Sequence, residues 1–330
     1  MVGRSDAGGS MNIILVTPWG LSTRAGNAVA ALRWARILRQ LGHRVSVSAD
    51  YADEPANMMI AIHAWRSAGA IARFKTRHPD RPLILQLSGT DIYEYLTQDV
   101  EPTLRSMEFA DRLVALNSLA WRAIPTRFRK KLRVIHQSAP KPASPRRPSL
   151  RCVDVCVIGH LRDVKDPLRA ALAARLLPAT SRIRIVHIGR AYSSKWATAA
   201  AAETAANPRY LWRGEVPRAA VQKLLLRSHA MVLSSVSEGG ANVISEAVVA
   251  GVPVLASRID GNVGLLGADY AGYFRLGDTQ TLARLLRRIE TDREFLAQLR
   301  RAIARRAPLF EPKREVGAWR SLLAEFSAER

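Results

Sequence analysis

Short apolar, β-rich runs alternate with helix-patterned stretches along almost the whole chain, and the alternation is interrupted once. The first strand-like runs are "MNIILVT", "HRVSVSA", "MMIAIHA", "LILQLSG", "DRLVALN" and "LRVIHQS". The helical stretch "NAVAALRWARILRQLG" follows the first of these and ends at Gly42 with Arg39 in its last turn, a helix-stop pattern. Strands that alternate with helices pair in parallel, and such a sheet is covered on both faces. The pattern then breaks at Ala139–Ser149, "APKPASPRRPS", whose four prolines and several cations have the composition of a linker. It resumes with "CVDVCVIG", "IRIVHIG", "YLWRGEV", "AMVLSS" and "VPVLAS". This organisation predicts an α/β chain of two doubly wound, Rossmann-like domains facing a central cleft, with ligands beyond the carboxyl ends of the strands. A length of 330 residues accommodates two such domains. The expected extents are a loose extension over 1–10, a first domain over 11–147 and a second over 148–312.

Composition narrows the function classes. Lys and Arg number 50 against 28 Asp and Glu, a formal net charge of +22. Such a balance raises nucleic-acid binding as a candidate. The cations are spread along the chain, however, and no RNA-binding or zinc-finger signature is present, so a solvated basic surface accounts for them and nucleic acid is not expected as a partner. A positive field also suits a protein that handles small anions. No apolar run reaches the roughly 18 residues of a membrane span. The start, "MVGRSDAGGS", lacks the apolar core of a secretory signal. The two cysteines, Cys152 and Cys156, lie four residues apart on one strand, about 13 Å, too far for a disulfide. They read as buried free thiols, with no metal site and a reduced, cytoplasmic setting.

The densest cluster of chemistry is "SSVSEGGANVISEAVVAGVPVLAS", Ser234–Ser257. A strand ends at Ser235, Gly239 and Gly240 allow close backbone approach, and a helix begins near Ala241 with its N–H groups directed outward. Glu238 and Glu246 bracket that helix start. Helix N–H groups bind phosphate while carboxylates accept from hydroxyls, so a nucleotide sugar fits the set. The spacing alone fits a solvated Glu238 beside an ordinary helix start equally well. Lys165 stands just before "DPLRAALAARLL", where a cation opposes the helix dipole unless an anion sits there; a surface lysine is the alternative. In the first half "TRAGNAV" places Gly26 and Asn27 at the first strand–helix turn, without the GxGxxG pattern of a nicotinamide site. His63 falls at a strand end, and a core histidine bonded to backbone fits it too. Arg24 and Arg66 lie in loops at strand carboxyl ends and could equally be surface arginines.

The pair of glutamates in "EGGANVISEA", followed by "AGVPVLAS", resembles the donor motif of retaining nucleotide-sugar glycosyltransferases of the GT-B fold, family 4. The resemblance implies that Glu246 holds the ribose hydroxyls, that Glu238 contacts the sugar, and that the backbone at Gly239, Gly240, Ala241, Asn242 and Val243 meets the diphosphate. "GHLRDVK" is similar to a second family element. Lys165 matches its diphosphate lysine, His160 stands where arginine is usual, and Arg162 replaces that charge. "LSGTDIY" resembles the family's His-Gly-Thr-Asp segment with Ser88 in the histidine position, so sugar contact there must differ. The family also implies that the last helix, 313–330, returns to the N-terminal domain.

A closer resemblance rests on "TPWGLSTRAGNAVAALRWARIL", "LSGTDIY", "VIHQSAP", "VIGHLRDVKDPLRAALAARLLP", "EGGANVISEAVVAGVPVLASRIDGNVGLLG" and "YAGYFRLGDT". Together these are similar to the SenB-type selenosugar synthases of selenoneine biosynthesis. The resemblance implies transfer of a sugar from UDP-GlcNAc or UDP-glucose to selenophosphate with formation of a carbon–selenium bond. The implied catalytic residues are Lys165, Arg162, Glu238 and His63, with Lys165 and Arg162 neutralising charge on the UDP leaving group so that neither a metal nor a cofactor is required. The acceptor side is assigned Arg24, Gly26, Asn27, Arg66, Gly89, Thr90 and Asp91. Partners are then small-molecule substrates and enzymes of selenoneine synthesis. Three other readings stay open: a conventional family 4-like glycosyltransferase acting on a sugar or lipid hydroxyl, a nucleotide-sugar epimerase, and a basic nucleic-acid-binding protein.

Overall fold

The run "MMIAI" is apolar at every position because both of its faces are covered: Met58, Ile60 and Ile62 point into one core and Met59 and Ala61 into another. The protein, seen as a computed structural model, is described over residues 9–18 and 26–328. It divides into one unit of residues 1–137 with 312–330 and a second of residues 138–311.

In the first unit the strands are β1 (Asn12–Val16), β2 (Arg44–Ser48), β3 (Met58–Ile62), β4 (Leu83–Gln86), β5 (Arg112–Ala115) and β6 (Leu132–Val134), in the order β2-β1-β3-β4-β5-β6. All pairs are parallel, with Ile13 opposite Val45 on one side and Met58 on the other. The C-terminal helix, Pro312–Ala328, packs on this unit rather than on the sheet that precedes it in the chain. Its Trp319, Leu322, Leu323 and Phe326 complete the core formed by Trp34 and β1, with the two indoles edge to face at 4.9 Å. Two carboxylates pin it: Glu315 accepts from Trp34 Nε1 at 2.7 Å and Arg33 Nε at 3.1 Å, and Glu325 accepts from Arg112 and Arg133.

The second unit holds β7 (Val153–Ile158), β8 (Ile183–Ile188), β9 (Tyr210–Trp212), β10 (Ala230–Leu233), β11 (Val254–Ser257) and β12 (Tyr273–Phe274), all parallel, in the order β12-β11-β10-β7-β8-β9. The order reverses between β7 and β10, so the loops after these two strands flank the crevice where doubly wound sheets take ligands.

The structure departs from sequence expectation in three places. The second unit begins at Ser138, earlier than the expected boundary at 147/148, because the proline-rich stretch lies along that unit: Ala139, Arg147 and Ser149 donate backbone N–H groups to Phe310, Leu226 and Arg227. The helix expected from Asp166 starts at Arg169, since Asp166 adopts a left-handed conformation (φ 44°) at the end of a short turn. Only Cys156 is a buried thiol, its proton affinity pushed up to about 12 by burial; Cys152 precedes β7 and is half-buried.

Candidate functional site

In the second unit the loops after β7 and β10 meet. Val236 donates its backbone N–H to Val164 at 2.8 Å, and Ser234 Oγ donates to the carbonyls of Lys165 and Asp166. This brings the Lys165 ammonium onto the Glu238 carboxylate, an ion pair whose side chains are 21% and 9% exposed. Ser235 Oγ donates to the same carboxylate oxygen at 2.6 Å. Glu238 is thus held by two partners, and Lys165 is aimed by Glu238 rather than left to solvent. The dipole argument for Lys165 does not apply, because its helix starts four residues further on, at Arg169.

Gly261 packs against the carbonyl of Glu238: a Cβ there would stand 1.9 Å from that oxygen. Asn262 holds the next layer by donating to the Ser257 carbonyl at 2.9 Å, while Ser257 Oγ donates to the Ser235 carbonyl. Sequence reasoning missed Ser235, Ser257, Gly261 and Asn262. Small polar residues beside a glycine give no periodic signal, and only the fold shows which backbone they touch.

The helix Asn242–Val249 follows Gly239 and Gly240, with Ala241 at its N-cap and no side-chain cap hydrogen bond. Val243 is half-buried in its first turn. Glu246 lies one turn further, partly exposed, with Arg218 Nη2 at 3.9 Å. The pair Glu238 and Glu246 therefore does bracket a helix N-terminus, as the spacing suggests.

On the β7 side, His160 Nδ1 accepts from the Arg190 backbone N–H at 3.1 Å, and burial lowers its proton affinity. Arg162 is exposed, with its guanidinium 5.9 Å from the centroid of the Tyr192 ring. The carbonyl of Gly159 accepts from His187 Nε2 at 3.0 Å, and His187 Nδ1 accepts from the Tyr210 hydroxyl at 2.9 Å. Burial lowers His187 to about 4, so it works as a neutral strut under the loop.

In the first unit the buried Asp91 organises the ends of β3 and β4. Its carboxylate accepts backbone N–H groups from Ala64, Trp65 and Ser88 at 2.7–3.0 Å. It also lies 2.6 Å from His63 Nδ1, while His63 Nε2 meets Thr90 Oγ1 at 3.0 Å. The backbone N–H of Arg66 is 3.2 Å from the same Nδ1, but a ring nitrogen that donates to a carboxylate cannot also accept; the shorter contact takes the proton. His63 is in a left-handed conformation (φ 75°), costly for a histidine and sustained by this cage. Asp91 opens a π-helical turn, Asp91–Tyr95, a form frequent at functional sites. With its side chain fully buried, Asp91 holds the loop and cannot face an acceptor.

Ser88 Oγ reaches Asn27 Oδ1 at 3.4 Å, tying the β4 loop to the first helix, which starts at Gly26. Gly89 and Thr90 are half-buried, and Arg66 is exposed, over the Trp65 ring at 5.5 Å and bonded to Tyr95 OH. Arg24 lies outside the described residues. Among the described residues no group of three His, Cys, Asp or Glu side chains could hold a metal ion, and no helix is long and apolar enough to cross a membrane.

Residues 152–307 match the family model for glycosyl transferases group 1. That segment is similar to the family. It contains every donor-side residue named above and the whole sheet β7–β12. Over the full chain the fold is that of solved glycosyltransferases of the GT-B class, at low sequence identity. Anabaena HepE in complex with UDP-glucose superposes with a TM-score of 0.75 at 16% identity, covering 96% of this chain and 100% of HepE. Sucrose-phosphate synthase from Thermosynechococcus elongatus gives 0.78 at 13% identity, covering 97% and 100%. The lipopolysaccharide outer core galactosyltransferase WaaB in its apo form gives 0.68 at 14% identity, covering 96% and 99%. No curated protein matches the chain by sequence.

Proposed function

We propose that the protein is a glycosyltransferase that takes a UDP-sugar, UDP-GlcNAc or UDP-glucose, and passes the sugar to selenophosphate. The observation that carries the transferase reading is the Lys165–Glu238 ion pair at the β7/β10 crevice, beside a helix N-terminus without a side-chain cap, inside a group 1 glycosyltransferase segment. The UDP-sugar is supported by the fold shared with HepE, which binds UDP-glucose. Selenophosphate is supported by the resemblance of six sequence segments to the selenosugar synthases.

In this reading Glu246 accepts from the ribose hydroxyls and the backbone N–H groups from Gly239 to Val243 take the diphosphate. Lys165, turned inward by Glu238, neutralises the charge that grows on UDP as the bond between the anomeric carbon and the diphosphate oxygen breaks. Selenium supplies the electron pair for the new carbon–selenium bond, and UDP leaves with the pair from the broken bond. Selenophosphate is already ionised and needs no general base. Arg162 adds positive charge at the edge of the site. Arg24, Gly26, Asn27, Arg66, Gly89 and Thr90 are assigned to the acceptor, with Asp91 positioning His63 and the backbone around them. A cytoplasmic setting and partner enzymes of selenoneine synthesis accompany this reading.

A second reading is favoured by one observation. His63 donates through Nδ1 to a buried carboxylate and presents Nε2 to a hydroxyl, the arrangement of a base for a hydroxyl acceptor. Mass spectrometry of products formed from each UDP-sugar with and without selenophosphate separates the two. A selenium-bearing sugar formed only with selenophosphate is expected. A selenium-free glycoside formed from an added sugar or lipid alcohol, with none from selenophosphate, would move the assignment to the second reading, and absence of any UDP release would remove both.

A further inference from the structure

Both donors on the Glu238 carboxylate reach the same oxygen: the Lys165 ammonium and the Ser235 hydroxyl each donate to Oε1. The glutamate side chain is 9% exposed and the lysine side chain 21%, so the pair is largely desolvated. Taking the cation from such a pair leaves a carboxylate with little water and no counter-charge, a costly state. The more of its field Lys165 gives to a diphosphate, the less of it holds Glu238.

Ser235 is fixed so as to stay behind. It is fully buried just beyond β10, and its carbonyl accepts from Ser257 Oγ at 2.5 Å. Asn262, also fully buried, donates through Nδ2 to the Ser257 carbonyl at 2.9 Å and to Ser257 Oγ at 3.2 Å. The backbones of the ion pair are fixed too. Ser234 Oγ donates to the Lys165 carbonyl at 3.1 Å, and Gly261 closes on the Glu238 carbonyl. What can move is the lysine side chain, a flexible stem with a compact cation at its tip. We propose that Ser235 is a positioning residue for the transfer: it holds Glu238 Oε1 while the Lys165 ammonium passes from the carboxylate to the diphosphate, and Ser257 and Asn262 keep it in place. This rests on the donor assignment above. The hydroxyl lowers the cost of releasing the cation as charge grows on the diphosphate, so it acts on the transition state more than on donor binding.

Steady-state kinetics of UDP release test this in the full chain, with UDP-GlcNAc or UDP-glucose as donor and selenophosphate, a sugar or a lipid alcohol as acceptor. Ser235→Ala is expected to lower kcat about tenfold, the size of a lost hydrogen bond to a charged group, with KM for the donor changed by less than about threefold. In a Lys165→Ala background the same substitution is expected to cost less than about twofold, because the ammonium it serves is gone. Ser257→Ala, which keeps the Ser235 hydroxyl and loosens its backbone, is expected to lower kcat in the same direction. Ser228→Ala removes an equally buried hydroxyl at the opposite end of β10, one that donates to the Leu224 carbonyl, and is expected to keep wild-type kinetics. Wild-type kcat in Ser235→Ala, or in Ser257→Ala should the first not fold, overturns the inference and leaves the donor assignment standing. So does an equal loss with and without Lys165, which would make Ser235 a structural support only. No UDP release by the wild type with any acceptor overturns the transferase reading and this inference with it.

Discussion

Lys165 and Glu238 lie 73 residues apart in the chain and pair as a lysine ammonium on a carboxylate that also accepts from Ser235. Each aims the other, so removing either is not a local event. Lys165→Ala is expected to lower kcat/KM for a UDP-sugar by roughly a hundredfold, the size of a lost electrostatic stabiliser. Steady-state kinetics of UDP release measures it, and unchanged kinetics would take Lys165 out of the chemistry.

Glu246 faces outward one turn into the helix, near Arg218. Glu246→Ala is expected to weaken UDP binding by about 1–3 kcal/mol, the cost of leaving hydroxyl partners unmatched. Calorimetric titration of UDP into both proteins reads it directly.

Gly261 and Gly189 each lie against the backbone of a site loop. A Cβ on Gly261 would meet the Glu238 carbonyl, and one on Gly189 the Gly159 carbonyl, both at 1.9 Å. Gly261→Ala and Gly189→Ala are therefore expected to displace the loops that carry Glu238 and Lys165. Activity is expected to be lost in both, in a protein that still folds by circular dichroism. Wild-type activity in either variant would show that the loop tolerates the shift.

His187 is a buried base whose folded value is lowered from 6.5 to about 4. Above pH 6.5 both states are neutral and it contributes nothing to pH dependence. As pH falls from 6.5 to 4 the unfolded chain takes up a proton that the folded protein refuses. Stability is lost across that window, by about 3 kcal/mol at its end. Urea unfolding of wild type and His187→Gln at pH 7, 5.5 and 4.5 is expected to show a steeper decline in the wild type. Parallel declines would assign the loss to other groups.

Much of this architecture is written in the chain's own periodicity. "MMIAI" and "VDVCVI" announce buried parallel strands, and the glycines before Asn242 mark a strand-to-helix turn. What periodicity does not carry is pairing between distant loops. The Asp91 cage depends on three backbone N–H groups from two strand ends, and no local pattern announces them. Asp166 looks like an ordinary helix start, yet its left-handed backbone postpones the helix to Arg169. The stretch rich in proline has a linker's composition, but its free N–H groups find carbonyls on the C-terminal unit and make it part of that unit.

The return of the helix Pro312–Ala328 to the first unit has a consequence for biosynthesis. The unit 138–311 is a continuous stretch and has all of its core once Phe310 has left the ribosome. The other unit is split, and the core formed by Ile13 and Leu15 of β1 with Trp34 of the first helix is completed by Trp319, Leu322 and Phe326. The half translated first is thus completed only when residues 312–326 are made, and until then part of one apolar face, beside the first helix, waits uncovered.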